Sequence, residues 1–240
     1  MNNRPFLSVI IPLYNEQNRL GKLTKVFDFL DRQKLVYEVI LINDGSRDNT
    51  LKKLNQLSKK FIFHLITYDK NKGKGFAIKT GVLQASGKYL LFTDIDLSTP
   101  LEEFNKFLPL LKRRNIIIGS RKKVGSTLRK RQGLIRENLG KGFTLLSQLI
   151  LDIYLSDFTC GFKCLPRQAA KEIFSRQRIE RWSFDSEILF LAKKLGYEIK
   201  EVPVKWSNDP RTRVRFPQDI IRSLLDLYKI RYNCLRKVYE

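Results

Sequence analysis

Residues 7–44 read LSVIIPLYNEQNRLGKLTKVFDFLDRQKLVYEVILIND. The stretch opens on a short β-branched run, LSVIIPLY. It continues over 16–32 with Leu20, Leu23, Val26, Phe27 and Leu30 on one helical face, and it closes on a second apolar run, YEVILIND. Strand, helix and strand joined this way predict a crossover unit. The unit repeats downstream. SRDNTLKKLNQLSKK predicts a helix with Asp48 or Asn49 as its N-cap, FIFHLIT a third strand, and Gly75–Ala85 a helix. KYLLFTD predicts a fourth strand, 100–113 a helix, and NIIIGS a fifth strand. Continuous apolar strands alternating with helices give an α/β fold, with a mainly parallel central sheet and flanking helices.

After Arg121 the pattern changes. A basic loop runs to about Arg131, and helices are predicted over 134–154, 167–174 and 184–195. CGFKCLP lies between the first two of these, YEIKEVPVKW (197–206) predicts a strand, SNDPRTRVRFP a loop, and 218–237 a final helix. The chain is read as one domain over 1–240. Residues 1–120 form a nucleotide-binding half, and 121–240 an acceptor-side half with the basic loop and the C-terminal helix.

Charge is distributed unevenly. The chain carries 46 Lys and Arg against 24 Asp and Glu, a net of +22. Residues 1–110 hold +6 of this and residues 111–240 the other +16. The second half therefore suits an anionic partner, whether nucleic acid, a phosphorylated substrate or an anionic membrane surface; a general solubility device is the alternative. Three cysteines, Cys160, Cys164 and Cys234, make no disulfide framework, and no His or Cys stands near the first two to complete a zinc set. The lone histidine, His64, lies in a predicted strand, so the chemistry must proceed without a histidine triad. The N-terminus shows no signal peptide, and no apolar run is long enough to span a membrane.

Ligands of open α/β sheets bind at the carboxyl ends of the strands. Three predicted strands end there in PLYNE, NDGS and DID. GVLQASGKY has the wrong spacing for a phosphate-binding P-loop, and GKGFAIKTG lacks the third glycine of a dinucleotide fingerprint. Asp94 and Asp96, two residues apart at a strand end, are expected on one side of the chain. Two like charges this close need a cation or strong donors. A hard divalent ion bridging carboxylate and diphosphate oxygens would meet that need; two solvated loop acids before Pro100 are the alternative.

SVIIPLYNE, VILINDGSRDNT, NKGKGFAIKTGVLQASGKYLLFTDIDLSTP, IIIGSR, DFTCGFKCLPRQAA and RWSFDSEILFLAKKLGYEIKEVPVKW occur in this order. Together they resemble the family-2 inverting glycosyltransferases of the polyprenyl-phosphate sugar synthase type. CGFK and RWSFDSE lie nearer to the dolichyl-phosphate β-glucosyltransferase branch than to the mannose synthases. The resemblance implies a GT-A-like fold and transfer of a hexose, foremost glucose from UDP-glucose, to a polyprenyl phosphate with Mg2+ or Mn2+. GDP-mannose as donor, a glycan hydroxyl as acceptor, and a basic nucleic-acid-binding module are the competing readings. Against the last, no nucleic-acid-binding motif is present.

The resemblance also implies roles for single residues. Pro12, Tyr14, Asn15 and Glu16 line the base and ribose pocket, Tyr14 alternatively packing in the core. Asp44 accepts from the nucleobase or ribose, or else sits as a helix N-terminal acid. Lys74 approaches the nucleotide or remains a solvated loop lysine. Asp94, Ile95 and Asp96 form the DxD motif, with Asp94 and Asp96 on the metal. Arg211 and Arg213 belong to a basic segment that closes on the diphosphate. Arg121 and Arg136 contact the acceptor phosphate, and Asp157 faces the acceptor. A phosphate acceptor is already ionised near neutral pH, so no general base is assigned, and Asp185 is read as structural or orienting. The stripe Leu139, Phe143, Leu145, Leu146, Leu149, Ile150, Ile153 and Tyr154 suits an interfacial helix or a core helix equally. The expected setting is peripheral, at the cytoplasmic face of a membrane, alone or through a separate anchoring partner.

Overall fold

The computed structural model describes residues 4–130, 133–209, 211 and 218–240, without the side chains of residues 130 and 134–136. The parallel core is built from β1 (Leu7–Leu13), β2 (Tyr37–Asp44), β3 (His64–Tyr68) and β4 (Tyr89–Phe92), followed by β5 (Asn115–Ser120). β6 is Thr127–Lys130, β7 Lys163–Pro166, β8 Glu198–Pro203 and β9 Lys205–Ser207. The helices are α1 (Leu23–Arg32), α2 (Thr50–Leu57), α3 (Lys74–Gln84), α4 (Leu134–Leu151), α5 (Arg167–Arg176), α6 (Phe184–Lys194) and α7 (Gln218–Leu235).

Seven strands form one sheet in the order β3-β2-β1-β4-β7-β5-β8. β1 pairs parallel with β2 and β4, β2 with β3, and β5 with β8. β7 is inserted antiparallel between β4 and β5, with Lys163 opposite Phe92 and Ile118. One face of the sheet buries Ile10, Ile40, Ile42 and Phe92 with Ala77, Ile78 and Val82 of α3. The other buries Val9, Ile11, Val39 and Leu91 with Val26, Phe29 and Leu30 of α1. Alternate residues of each strand thus serve opposite cores, which is why these strands read as continuous apolar runs.

Several boundaries differ from the sequence expectation. The helix predicted over 16–32 begins at Leu23, because Glu16–Arg19 close a turn and Leu20–Lys22 a 3-10 turn. The helix predicted over 100–113 is two 3-10 turns, Leu101–Lys106 and Leu108–Leu110. Pro109 removes a donor and crowds the preceding turn there. The helix predicted over 46–60 is confined to Thr50–Leu57. α4 stops at Leu151, where Asp152 takes a left-handed conformation at φ 54° and turns Ile153 and Leu155 into the core. The basic loop after Arg121 contains β6, paired with β9 in a second, two-stranded sheet. The strand predicted over 197–206 is split at Val204, which is buried between β8 and β9.

Candidate active site

The topology brings the carboxyl ends of β1, β2, β4 and β5 to one edge of the sheet. Because β7 runs the other way, its amino end, Cys160–Lys163, lies at that same edge. His64 starts β3 at the opposite edge, exposed and 3.8 Å from Glu38, so no histidine reaches the site.

Asp94 and Asp96 are joined by a turn rather than an extended strand. β4 ends at Phe92, the Leu97 N–H donates to the Asp94 carbonyl at 3.1 Å, and Leu97 has φ 47°. The strand alternation expected to align the two acids is therefore replaced by turn geometry. The Asp96 carboxylate accepts from the Ser98 N–H at 2.8 Å. Burial and then the neighbouring Asp94 charge raise the Asp96 pKa above its ordinary value. Ile95 between them is buried in the core.

Lys74 supplies the compensating charge. Its ammonium lies 2.6 Å from Asp94 Oδ1. Burial alone would lower its pKa, but Asp94, Asp185 and Asp96 reverse that and raise it. Behind this group Lys163, fully buried, pairs with Asp185 in the first turn of α6 and donates to the Cys160 carbonyl at 2.6 Å. The Cys160–Gly161 segment is thereby fixed against the acids. A Cβ on Gly161 would stand 2.3 Å from Asp94 Oδ2 and 3.3 Å from Lys74 Nζ, so any side chain here would have to displace Asp94. Trp182 flanks the group, its ring centroid 6.0 Å from Lys74 Nζ.

The other sequence-named residues fall around this centre. Asp44 is buried, and its carboxylate accepts from Asn71 Nδ2 at 2.7 Å and from the N–H groups of Lys72 and Gly73 at 2.8 and 3.0 Å. It thus braces the loop into α3 from below. Burial lifts its pKa against those donors. Pro12 and Tyr14 are half-buried. Asn15, at φ 54°, bonds across to Ser46 and Arg47. Glu16 is buried and takes both oxygens to Arg19 Nη1 at 2.9 Å.

Arg19 also grips Asp209, at 3.1 and 3.2 Å, and donates to the Arg211 carbonyl at 2.6 Å. Asp209 in turn holds the Arg211 guanidinium at 2.8 Å. Hydrogen bonds from Arg211, against slight burial, and those from Arg19 hold Asp209 well below the carboxylate range. Lys22 donates to the Asp96 carbonyl and lies 3.9 Å from Asp209. The segment after β9 is thus clasped to the turn that precedes α1. Arg213 lies outside the described residues.

On the other flank, Arg121 and Asp157 form a buried two-point ion pair. Nε and Nη2 donate to the two carboxylate oxygens at 2.7 and 2.8 Å. The Arg121 N–H adds a third bond to Asp157 at 3.1 Å, and Nη2 reaches Thr159 at 2.9 Å. Burial would raise the Asp157 pKa, but Arg121 brings it down to about 2. Trp206 lies against the guanidinium, 5.5 Å from ring centroid to Cζ. Asp157 therefore faces Arg121. The side chain of Arg136 lies outside the described residues.

Sequence reasoning missed Arg19, Asp209, Lys163 and Gly161. Their roles depend on partners 22 to 190 residues away, and no local spacing signals such contacts. It also missed one face of α7. Ile221, Leu225, Tyr228, Tyr232 and Leu235, spaced i, i+4, i+7, i+11 and i+14, are 55–75% exposed. α7 packs against α4, whose Leu145 and Leu149 are 66 and 78% exposed, as is Tyr154 beyond its end at 80%, while Leu151 is buried and Phe143 and Ile150 pack against the core. The α4 stripe thus divides between the core and the surface. Among the described residues, no helix is long and apolar enough to cross a membrane.

The donor set fits a hard divalent ion. Two carboxylates at a half-open edge match how Mg2+ is held by one or two acids plus substrate phosphates. Among the described residues no third His, Cys, Asp or Glu completes a protein-only cage.

Comparison with known proteins agrees with this frame. The dolichyl-phosphate beta-glucosyltransferase of Dictyostelium discoideum is 35% identical over 250 aligned residues, spanning 98% of this chain and 76% of that enzyme. That of Saccharomyces cerevisiae is 32% identical, spanning 98% of this chain and 77% of the enzyme. The crystal structure of glucosyl-3-phosphoglycerate synthase from Mycobacterium tuberculosis, with Mn2+, uridine diphosphate and glucosyl-3-phosphoglycerate, superposes with a TM-score of 0.64. At 18% identity over 95% of this chain and 80% of that one, it establishes a shared GT-A-like fold. Residues 8–174 match the profile of glycosyl transferase family 2, and with this match across most of the chain the protein belongs to that family of glycosyltransferases.

Proposed function

We propose that the chain transfers glucose from UDP-glucose to a dolichyl-type polyprenyl phosphate, with inversion and with Mg2+ or Mn2+, at the cytoplasmic face of a membrane. One observation carries this reading. An acidic seat, Asp94 and Asp96, and an arginine anchored by a buried acid, Arg121 on Asp157, share one sheet edge that no histidine reaches. The names of the two glucosyltransferase relatives support the sugar and the lipid phosphate.

The chemistry needs little from the protein beyond aim and charge. An oxygen of the acceptor phosphate attacks the anomeric carbon, and the bond from that carbon to the nucleotide diphosphate breaks on the opposite side. The nucleophile is already an anion, so no side chain has to take a proton. Arg121, set by Asp157 and Thr159, holds that phosphate, and Arg136 is assigned to the same group. Asp94 and Asp96 would hold a divalent ion, which when bound would supply charge stabilisation to the departing diphosphate. Tyr14 and Asn15 line the nucleoside side, Asp44 braces the loop that carries Lys74, and Arg211 with Arg213 covers the diphosphate. The exposed apolar faces of α4 and α7 rest on the bilayer that carries the acceptor.

The test is UDP release from UDP-glucose, with GDP-mannose in parallel, with and without a short polyprenyl phosphate and Mg2+ or Mn2+. Acceptor-dependent release with UDP-glucose, and a β-linked product by NMR, is the expected result. Asp94→Asn and Asp96→Asn should each lower it at least about a hundredfold. Faster turnover of GDP-mannose, transfer to an alcohol instead, or near-normal rates in both variants overturns the reading.

A further inference from the structure

Two lysines stand at the acidic edge, Lys74 on Asp94 and Lys163 behind it on Asp185. Asp94, Asp96 and Asp185 bring three negative charges to the edge, and Lys74 and Lys163 bring two positive ones. Lys163 is committed to Asp185 and the Cys160 carbonyl and is fully buried. Lys74 sits on Asp94 itself, at 2.6 Å, against the oxygen a metal would need. The other Asp94 oxygen is hemmed in by Gly161. With a net charge near −1, a divalent ion alone would leave the cluster positive and bring two cations face to face. A divalent ion arriving with a diphosphate would not, because the diphosphate gives Lys74 another anion to bind.

We propose that Lys74 is a resident counter-ion of the Asp94/Asp96 seat, one that makes divalent-cation binding conditional on the nucleotide diphosphate. Without nucleotide, the ammonium holds Asp94 and keeps the edge ordered. When the diphosphate enters, Lys74 passes from Asp94 to it, and Asp94 is released to the metal. The proposal rests on the reading of Asp94 and Asp96 as metal-holding residues. It adds an order to the site: the cation is admitted with the donor and leaves with the nucleoside diphosphate.

The test measures Mn2+ binding by the free-ion EPR signal, with and without UDP, in wild type, Lys74→Met, Lys74→Arg and Asp94→Asn. Wild type should bind Mn2+ at least about tenfold more tightly with UDP than alone. Lys74→Met should bind Mn2+ alone at least about tenfold more tightly than wild type, the effect of removing a like charge a few ångströms away, and UDP should improve it less. Lys74→Arg should behave as wild type, and Asp94→Asn should lose Mn2+ in both settings. Unchanged binding in Asp94→Asn overturns the metal-seat reading itself. Loss in Asp94→Asn together with no gain in Lys74→Met overturns the counter-ion and leaves the seat standing.

Should Lys74→Met fail to fold, a second readout decides. The chain has two tryptophans, Trp182 beside Lys74 and Trp206 beside Arg121. In a Trp206→Phe protein the emission of Trp182 should shift with UDP and Mn2+ together and stay flat with Mn2+ alone. An equal shift with Mn2+ alone overturns the proposal.

Discussion

At the scale of single residues, the site is set by contacts close enough that an added methyl group displaces a carboxylate. Gly161→Ala would place a methyl group 2.3 Å from Asp94 Oδ2, and the acid must move. Misplacement of a reacting group by about an ångström costs about a hundredfold in rate. UDP release should fall by about that factor while the melting temperature holds; a rate within about threefold of wild type would show that the carboxylate has room. Arg121→Ala alone is ambiguous, since it strands the buried Asp157 charge and should destabilise the fold by about 3–5 kcal/mol. Adding Asp157→Asn removes the stranded charge, so the double variant should recover most of the denaturant midpoint, keep UDP binding, and still fail to use the lipid phosphate. Recovery of transfer in the double variant would remove Arg121 from the acceptor. The pair also fixes a pH dependence. Asp157 has a folded pKa of about 2 against an ordinary 3.8, so its stabilisation, about 2 kcal/mol, is complete above about pH 4 and is lost as pH falls through 2. Acid titration of stability in Asp157→Asn should lack that slope. Sequence named both Arg121 and Asp157 but not their union, because a contact across 36 residues leaves no trace in spacing.

At the scale of elements, the parallel strands and their crossover helices were legible because each strand is buried on both faces and each helix carries an apolar stripe. What escaped was short or irregular. β7 has four residues, starts at a buried lysine and ends at a proline, so nothing in its pattern marks a central strand. Yet it is the strand that brings Lys163, and Gly161 just before it, to the edge that holds Asp94 and Asp96. β6 and β9 are edge pieces of four and three residues in basic surroundings, and their pairing rather than their composition makes them strands. The clasp on the segment after β9 is of the same kind, formed by Arg19 from a turn near the N-terminus and by Asp209. Arg19→Ala should leave Glu16 and Asp209 without their shared cation and loosen that segment. Limited trypsin digestion should then cut after Arg211 and Lys205 several-fold faster than in wild type, with cutting elsewhere unchanged. Equal rates at both sites would show that the segment is held by other contacts.

At the scale of the whole molecule, charge and apolar surface fall together. The net charge is +22, most of it in the second half, and α7 sets its exposed row Ile221, Leu225, Tyr228, Tyr232 and Leu235 beside the exposed cations Arg222, Lys229, Arg231 and Arg236. Packing α7 against α4 extends the apolar surface to Leu145 and Leu149. Tyrosines, leucines and flanking basic residues on one helix face match the chemistry of a lipid headgroup boundary. A second copy of the chain would instead set cation against cation across the same surface. Each Lys or Arg near an anionic bilayer contributes about 1 kcal/mol, and the buried apolar row adds a part that salt does not screen. The purified protein should therefore bind phosphatidylserine vesicles at low salt, with affinity falling steeply as salt rises. Leu145→Glu with Leu225→Glu should weaken binding further at every salt concentration, and since both side chains are about two-thirds exposed, circular dichroism should stay native. Ile150→Glu is the control for the inward face of α4, where the side chain packs on the core, and it should lower the melting temperature instead. If the wild-type protein sediments alone from anionic vesicles at low salt, the platform does not meet lipid directly, and the acceptor must be delivered by a partner that holds the bilayer.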